Sequence, residues 1–340
     1  MAGESAGAGA VMILATAYGG SLGPTLFEST FHFNEKVMLE QYWTFTKASG
    51  CSRLDSLKCL QAASTDSLAS GAQAVASKAL DGIFSFKPVV DEDIIPQRIS
   101  KTLDGPLNGK RILTGNNANE GFAFTPQNIT TLDTFASYLR TYFPRLTADN
   151  ITAIASIYET PADILDSATT PLFATDGLNS PTAINQSQVS TGHQQVANNF
   201  YAEVTFVCPS YWLADAYMQP GDTAAFQYQF SVTPALHGFD TFFYFPTPER
   251  PVDSGISQAF MEAYAGFVME GVPDDWPQKT VEEPMMRNLN ATGGRRVGMG
   301  PFTMFEGADL AGGDVDADVW EGGRRMRCNF LKALADELVI

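Results

Sequence analysis

The residues best suited to chemistry stand at the start of the chain. Gly3-Glu4-Ser5-Ala6-Gly7 is a G-x-S-x-G pentapeptide, followed at once by the small-residue run Ala8 to Ala17. Where such a pentapeptide joins a strand to a helix, the backbone turns sharply and pushes the serine out at the apex. Flanking glycines leave room for the neighbouring strand and helix. The helix N-terminus beneath the serine offers free N–H groups and a partial positive charge, which suit a developing oxyanion. The competing reading is a flexible Gly/Ala/Ser tail. An acyl-transfer serine also needs a general base, and the base needs an acid to hold its tautomer. The sequence has three histidines. His32, flanked by phenylalanines, reads as structural, and His193, after a polar loop, as solvated. His237 follows directly on the clearest strand pattern of the chain. Glu120 closes the Gly/Asn-rich loop after another short strand pattern and is the candidate acid.

These side chains need elements to position them. Phe27 to Phe33 alternates like a half-buried strand, and a helix is expected over Glu35 to Ala48. Leu60 to Leu80 is Ala/Ser-rich with a helical pattern. Phe84 to Pro96 reads as two extended pieces around an acidic turn, and Lys110 to Gly115 as a buried strand opening towards Glu120. Helical segments are expected from Leu132 to Ala168, broken at Pro144 and Pro161, then a surface loop over 169–190. A long helix is expected from Thr191 to Tyr217, interrupted at Pro209. Ala224 to Val232 is the clearest strand. A helix is expected over 254–276, and an amphipathic one from Arg324 to Ile340 through Phe330, Leu331, Leu334 and Leu338. Strands alternating with helices mean an α/β fold.

Composition excludes several classes of function. At 44% hydrophobic and 17% charged residues the 340-residue chain is globular in character. A formal charge of −17 argues against nucleic acid or anionic membranes as partners. No apolar run approaches the ~20 residues of a transmembrane helix. Sequons for N-glycosylation stand at Asn128, Asn150, Asn185 and Asn290. Cys51 and Cys59 are eight apart; in an oxidising compartment that spacing reads as a local disulfide, and otherwise as two buried thiols. Asp314, Asp316 and Asp318 have the alternation of a calcium loop, but Val319 stands where such a loop needs glycine. An acidic surface loop is the expectation there. Phe242 to Phe245 read equally as pocket wall or as core.

In the order Ser5, Glu120, His237, the three candidates follow the Ser…acid…His order of α/β-hydrolases. The sequence resembles the type B carboxylesterase/lipase family, cholinesterase-like α/β-hydrolases, and especially its secreted fungal members. The resemblance spans essentially the whole chain. It is carried by GESAGAGAVM, the Cys51/Cys59 pair, KPVVDEDIIP, GNNANEGFAF around Glu120, VTFVCPSYWLADAY around Cys208, ALHGFD around His237 and WEGGRRMRCNF near the end. It implies Ser5 as nucleophile, Glu120 as acid, His237 as base, an oxyanion donor at the Ala6 N–H and a Cys51–Cys59 disulfide. It further implies an ester substrate, small-molecule or lipid, no metal or organic cofactor, and secretion. Cys208 and Cys328 look like single thiols, with mutual pairing left open. Glu92 departs from the family, whose acidic turn has glycine there. Against the family, residues 1–340 read as one incomplete α/β-hydrolase domain beginning at the nucleophile elbow, without the leading strands, signal peptide or glycine-rich oxyanion loop. A catalytically inactive fragment and a non-enzymatic binding member are the alternatives.

Overall fold

In the computed structural model, the described residues are 1–21, 36–80, 85–86, 88–158, 184, 187, 189–218, 223–247, 254–300 and 302–338. The strand expected at Phe27 to Phe33 with His32, the residue Phe84, most of the 169–190 loop and the sequon at Asn185 lie outside them. The helices are α1 (Ala6–Thr16), α2 (Lys36–Ala48), α3 (Ser56–Ala62), α4 (Thr65–Ala76), α5 (Ile99–Thr102), α6 (Leu132–Tyr142), α7 (Ala148–Ile157), α8 (Gly192–Ala202), α9 (Cys208–Ala216), α10 (Thr241–Tyr244), α11 (Ser254–Glu270), α12 (Trp320–Ala333) and α13 (Ala335–Leu338). The strands are β1 (Arg111–Asn117), β2 (Ala224–Phe230), β3 (Met285–Thr292), β4 (Arg295–Met299), β5 (Phe302–Glu306) and β6 (Asp309–Asp316).

The main sheet runs β1-β2-β3-β6, parallel except for β6, while β4 and β5 form a separate antiparallel pair. Its central strand shows why the sheet is covered on both faces. Phe226 packs towards Phe267 of α11, and Tyr228 and Phe230 towards Phe260 of the same helix. The alternate residues face α9 and α12: Ala225 joins the core with Tyr211 and Leu331. On this face Gln227 accepts from the Lys279 ammonium and Gln229 from Arg324. Burial pulls the Lys279 ammonium down to about 8 despite its ion pair with Asp215.

The same α9/α12 face holds a buried charge cluster. Glu203, Arg324 and Arg327 are each 1% exposed or less. Glu203 accepts from Arg324 Nε at 3.1 Å, from Arg327 Nη2 at 2.7 Å and from the Tyr158 hydroxyl at 2.5 Å. Buried charges are tolerated when paired and hydrogen-bonded in this way. Glu321, Gly322 and Gly323 adopt successive left-handed conformations at the start of α12, and the Glu321 and Gly322 carbonyls accept from Arg327.

Several expectations are revised. Cys208 and Cys328 are not single thiols: they form a disulfide joining α9 to α12, beside the expected Cys51–Cys59 bridge. Neither half of this pair is visible from spacing, because 120 residues separate them. Asp314 and Asp316 lie in β6, not in an acidic loop, and Asp314 pairs with Arg287 of β3 across the sheet. Asp318, in the turn beyond, pairs with Arg325. The described residues hold no cluster able to bind a metal ion. Residues 88–96 contain no strand; Asp91 instead ties its own turn, accepting from the Asp93 and Ile95 N–H groups. Glu92, at the apex, has φ 63°, a conformation that favours glycine. The long helix from Thr191 continues through Pro209 at the first turn of α9, the irregularity falling before it as a π-helical stretch at Glu203–Val207. No helix among the described residues is long and apolar enough to cross a membrane.

Candidate active site

The candidate residues converge at the C-terminal ends of the parallel strands, where α/β sheets place ligands. Ser5 immediately precedes α1, with φ 55° and ψ −120°. Such a conformation in a non-glycine residue costs on the order of 1–3 kcal/mol and is characteristic of functional turns. Gly3 is required for the turn, since a Cβ there would run into the Gly7 carbonyl. Nothing crowds Gly7 itself, so the second glycine of the motif is not sterically demanded by the described residues. From below, Asn108 anchors α1: its side-chain amide donates to the Leu14 and Ala17 carbonyls, both at 3.0 Å, and its N–H to Ala15 at 2.7 Å.

Glu120 lies three positions past the end of β1, and His237 seven past the end of β2. The two loops are laced together. Asn119 donates from its backbone to the Ala235 carbonyl at 2.8 Å and from its side chain to Pro234 at 2.9 Å. Ala235 and Gly238, on either side of His237, both take positive φ.

The structure brings Ser5, His237 and Glu120 together. His237 Nε2 lies 2.8 Å from Ser5 Oγ, and Nδ1 lies 2.5 Å from Glu120 Oε2. The other Glu120 oxygen accepts from the Asn117 N–H at 2.6 Å and from the Asn117 side-chain amide at 3.2 Å. Two aromatic rings hold the imidazole: Phe206 at 4.5 Å and Phe124, edge-on, at 5.0 Å between centroids. Ala6 is the first residue of α1, so its N–H is one of those a helix leaves without an internal partner.

Two carboxylates that sequence reasoning gave no role complete the electrostatics. Glu4 Oε1 stands 3.4 Å from His237 Nε2, the nitrogen that faces Ser5 Oγ. Burial raises the Glu4 carboxyl, with the His237 charge pulling it back and Glu120 adding to the rise. Asp240 is 4% exposed and accepts from Asn117 at 3.0 Å and from the Tyr228 hydroxyl at 2.7 Å. Burial, reinforced by the nearby Glu120 and Glu4 charges, pushes Asp240 up to about 6 against those two hydrogen bonds. For His237, burial alone would lower the pKa. The hydrogen bond and charge of Glu120, with Glu4 and Asp240 behind, outweigh it, and the imidazole sits above its ordinary value. Both acids stand inside motifs quoted above, GESAG and ALHGFD; their proximity to Glu120 is a tertiary fact.

The remaining candidates fall elsewhere. His193, half-buried, begins α8 and takes no part in this constellation. Phe243 is core, at 2% exposure, whereas Phe245 is exposed at 61%. Among the sequons, Asn128 is exposed in a turn. Asn150 closes a capping box with Thr147 at the start of α7, and Asn290 lies half-buried in β3.

A strained serine at a helix N-terminus, with a histidine and a carboxylate from the ends of neighbouring parallel strands, is the architecture of an α/β-hydrolase. Solved structures with that fold superpose on the chain. EstA of Aspergillus niger matches with a TM-score of 0.70 at 19% identity, over 99% of this chain and 64% of that one. A PNB esterase matches with a TM-score of 0.59 at 17% identity, over 85% and 58%. The sequence narrows the class further: the carboxylesterase family profile matches residues 1–298, and the chain belongs to that family. Among curated relatives, the carboxylesterase patB of Aspergillus clavatus is 26% identical over 300 residues, 82% of this chain and 48% of that protein. Its counterpart from Penicillium expansum is 26% identical over 293 residues, covering 80% and 46%. The chain thus spans about half the length of these relatives.

Proposed function

We propose that this chain carries the nucleophile, base and acid of a serine carboxylester hydrolase working through an acyl-enzyme. The observation that carries the reading is the continuous contact Ser5 Oγ–His237–Glu120 at a helix N-terminus. Ser5 Oγ attacks the ester carbonyl carbon while its proton passes to His237 Nε2. Glu120, through Nδ1, holds the imidazolium and fixes the tautomer. The carbonyl oxygen takes up the negative charge against the Ala6 N–H and the positive end of α1. His237 then gives its proton to the departing alkoxide, and the alcohol leaves. A water molecule, deprotonated by the same nitrogen, attacks the acyl-enzyme and releases the acid and Ser5.

The substrate is an ester of small-molecule or lipid type. Two disulfides and the exposed sequon at Asn128 support a secreted, glycosylated protein. A second reading, in which these residues assemble but turn over slowly in this chain alone, is favoured by the open flank of the site. Ala6, Ala8 and Ala10 of the apolar α1 are exposed, and β1 pairs on one side only among the described residues. Steady-state hydrolysis of a short p-nitrophenyl ester, beside Ser5→Ala, tests the proposal. Turnover abolished by the substitution supports it, and equal rates in both proteins refute it.

A further inference from the structure

Asp240 touches none of the atoms that bond change involves, yet it is one of the most tightly constrained acids in the fold. Its two carboxylate oxygens each accept one hydrogen bond, from Asn117 Nδ2 at 3.0 Å and from Tyr228 Oη at 2.7 Å. Its own N–H donates to Asn117 Oδ1 at 3.1 Å. Asn117 is therefore gripped at both ends of its amide by one residue. The orientation so imposed spends one Nδ2 proton on Asp240 and leaves the other for Glu120 Oε1 at 3.2 Å. Turned over, the amide would aim its oxygen at both carboxylates and its two donors at the Asp240 N–H, which would lose every bond. With the Asn117 N–H also donating to Oε1 at 2.6 Å, that oxygen is fully engaged, and Oε2 is left to His237 Nδ1.

We propose that Asp240 is a positioning residue for the Glu120–His237 pair, acting through Asn117. It clamps the end of β1 to the loop after β2, so that the acid cannot rotate away from the imidazole it must hold. The groups that face Asp240 are Asn117 from β1, Tyr228 from β2, Tyr244 from its own helical turn, and the more distant Glu120 and Glu4 carboxylates. The His237 imidazolium also feels the Asp240 charge, but the contacts that make the clamp are the hydrogen bonds to Asn117 and Tyr228. The inference rests on the ester-hydrolase reading, and its test has one readout that needs no turnover.

Asp240→Asn keeps the size of the side chain, but its single carbonyl oxygen can serve Asn117 or Tyr228, not both. The expected result is a kcat lower by about ten- to hundredfold, the usual scale for a buried hydrogen bond to a charged group, with KM unchanged. Asn117→Ala should give a similar fall, and the double variant should be no slower than the slower single one, because both break the same link. In the NMR spectrum, the low-field proton between His237 Nδ1 and Glu120 should broaden or vanish in Asp240→Asn at a temperature where thermal melting shows the protein folded. A kcat within twofold of wild type, losses that multiply in the double variant, or an unchanged low-field proton would each overturn the inference. An unmodified protein that turns over no ester but shows the proton, lost in Asp240→Asn, would sink the hydrolase reading while upholding the clamp.

Discussion

Substitution of Glu203 by glutamine should unfold this protein far more readily than the loss of one charge suggests. The side chain is fully buried and accepts from Arg324, Arg327, Tyr158 and Asn199, at 2.5 to 3.3 Å. Burial on its own would raise its pKa, but the two guanidinium groups hold it below the ordinary carboxylate range, so it is charged. Glutamine fits the same space, so no cavity enters the comparison. What changes is that two guanidinium groups, each 1% exposed, lose the carboxylate they share and meet an amide N–H₂, with the Glu321 charge left near Arg327. A single charge pair at such separations is worth about 4 kcal/mol at an effective dielectric constant of 20. Removal of one partner from buried pairs costs about 3–5 kcal/mol. Against a usual stability of about 5–15 kcal/mol that is a large share. Urea is the denaturant of choice, because it is uncharged and leaves the ionic strength constant. Fluorescence of Trp212 and Trp320, both buried in the same core, follows the transition. The midpoint should fall with the slope unchanged. A loss under about 1 kcal/mol would refute the reasoning; replacement of all three charges by apolar residues of similar volume should recover much of it.

Other outcomes follow from the same structure. Ester hydrolysis should rise with pH as His237 loses its proton, with the midpoint above the ordinary histidine value; Glu4→Gln, by removing a nearby negative charge, should move that midpoint down in a pH–rate profile. In stability the sign is opposite: the contribution of the charged His237–Glu120 pair is complete below the unfolded histidine pKa and lost as pH rises through the raised one, which urea melts at a series of pH values would register. Glu120→Gln should leave the fold intact and lower kcat by roughly 10⁴, as expected when the base is left in the wrong tautomer. Replacing Cys208 and Cys328 together by serine should cost about 4–5 kcal/mol on the chain-entropy account of a loop this long, measured as a lowered urea midpoint.

What was legible in the sequence, and what was not, divides along physical lines. Glu120 and His237 stand in short motifs just past patterned strands, and Ser5 in a pentapeptide just before a small-residue helical run, so local pattern singles out all three; that they meet is a tertiary fact. The Cys51–Cys59 bridge closes within a few turns and is legible for the same reason. Cys208 with Cys328, and Glu203 with Arg324 and Arg327, depend on α9 meeting α12 across more than a hundred residues. No local spacing encodes that. Strand β6 escaped because its exposed positions carry aspartates, so that Asp314-x-Asp316 looks like a loop until Arg287 of β3 is opposite. The roles of Glu4 and Asp240 were hidden in plain motifs, since their chemistry comes from the groups that the fold brings against them.

The most direct test of the central claim is covalent labelling of the chain with a fluorophosphonate ester, followed by peptide mapping beside Ser5→Ala. A serine activated by its histidine and aimed out of a strained turn should carry the adduct at Ser5, with none in the substituted protein. Folded protein that takes up no label, or carries it elsewhere than Ser5, would contradict the account.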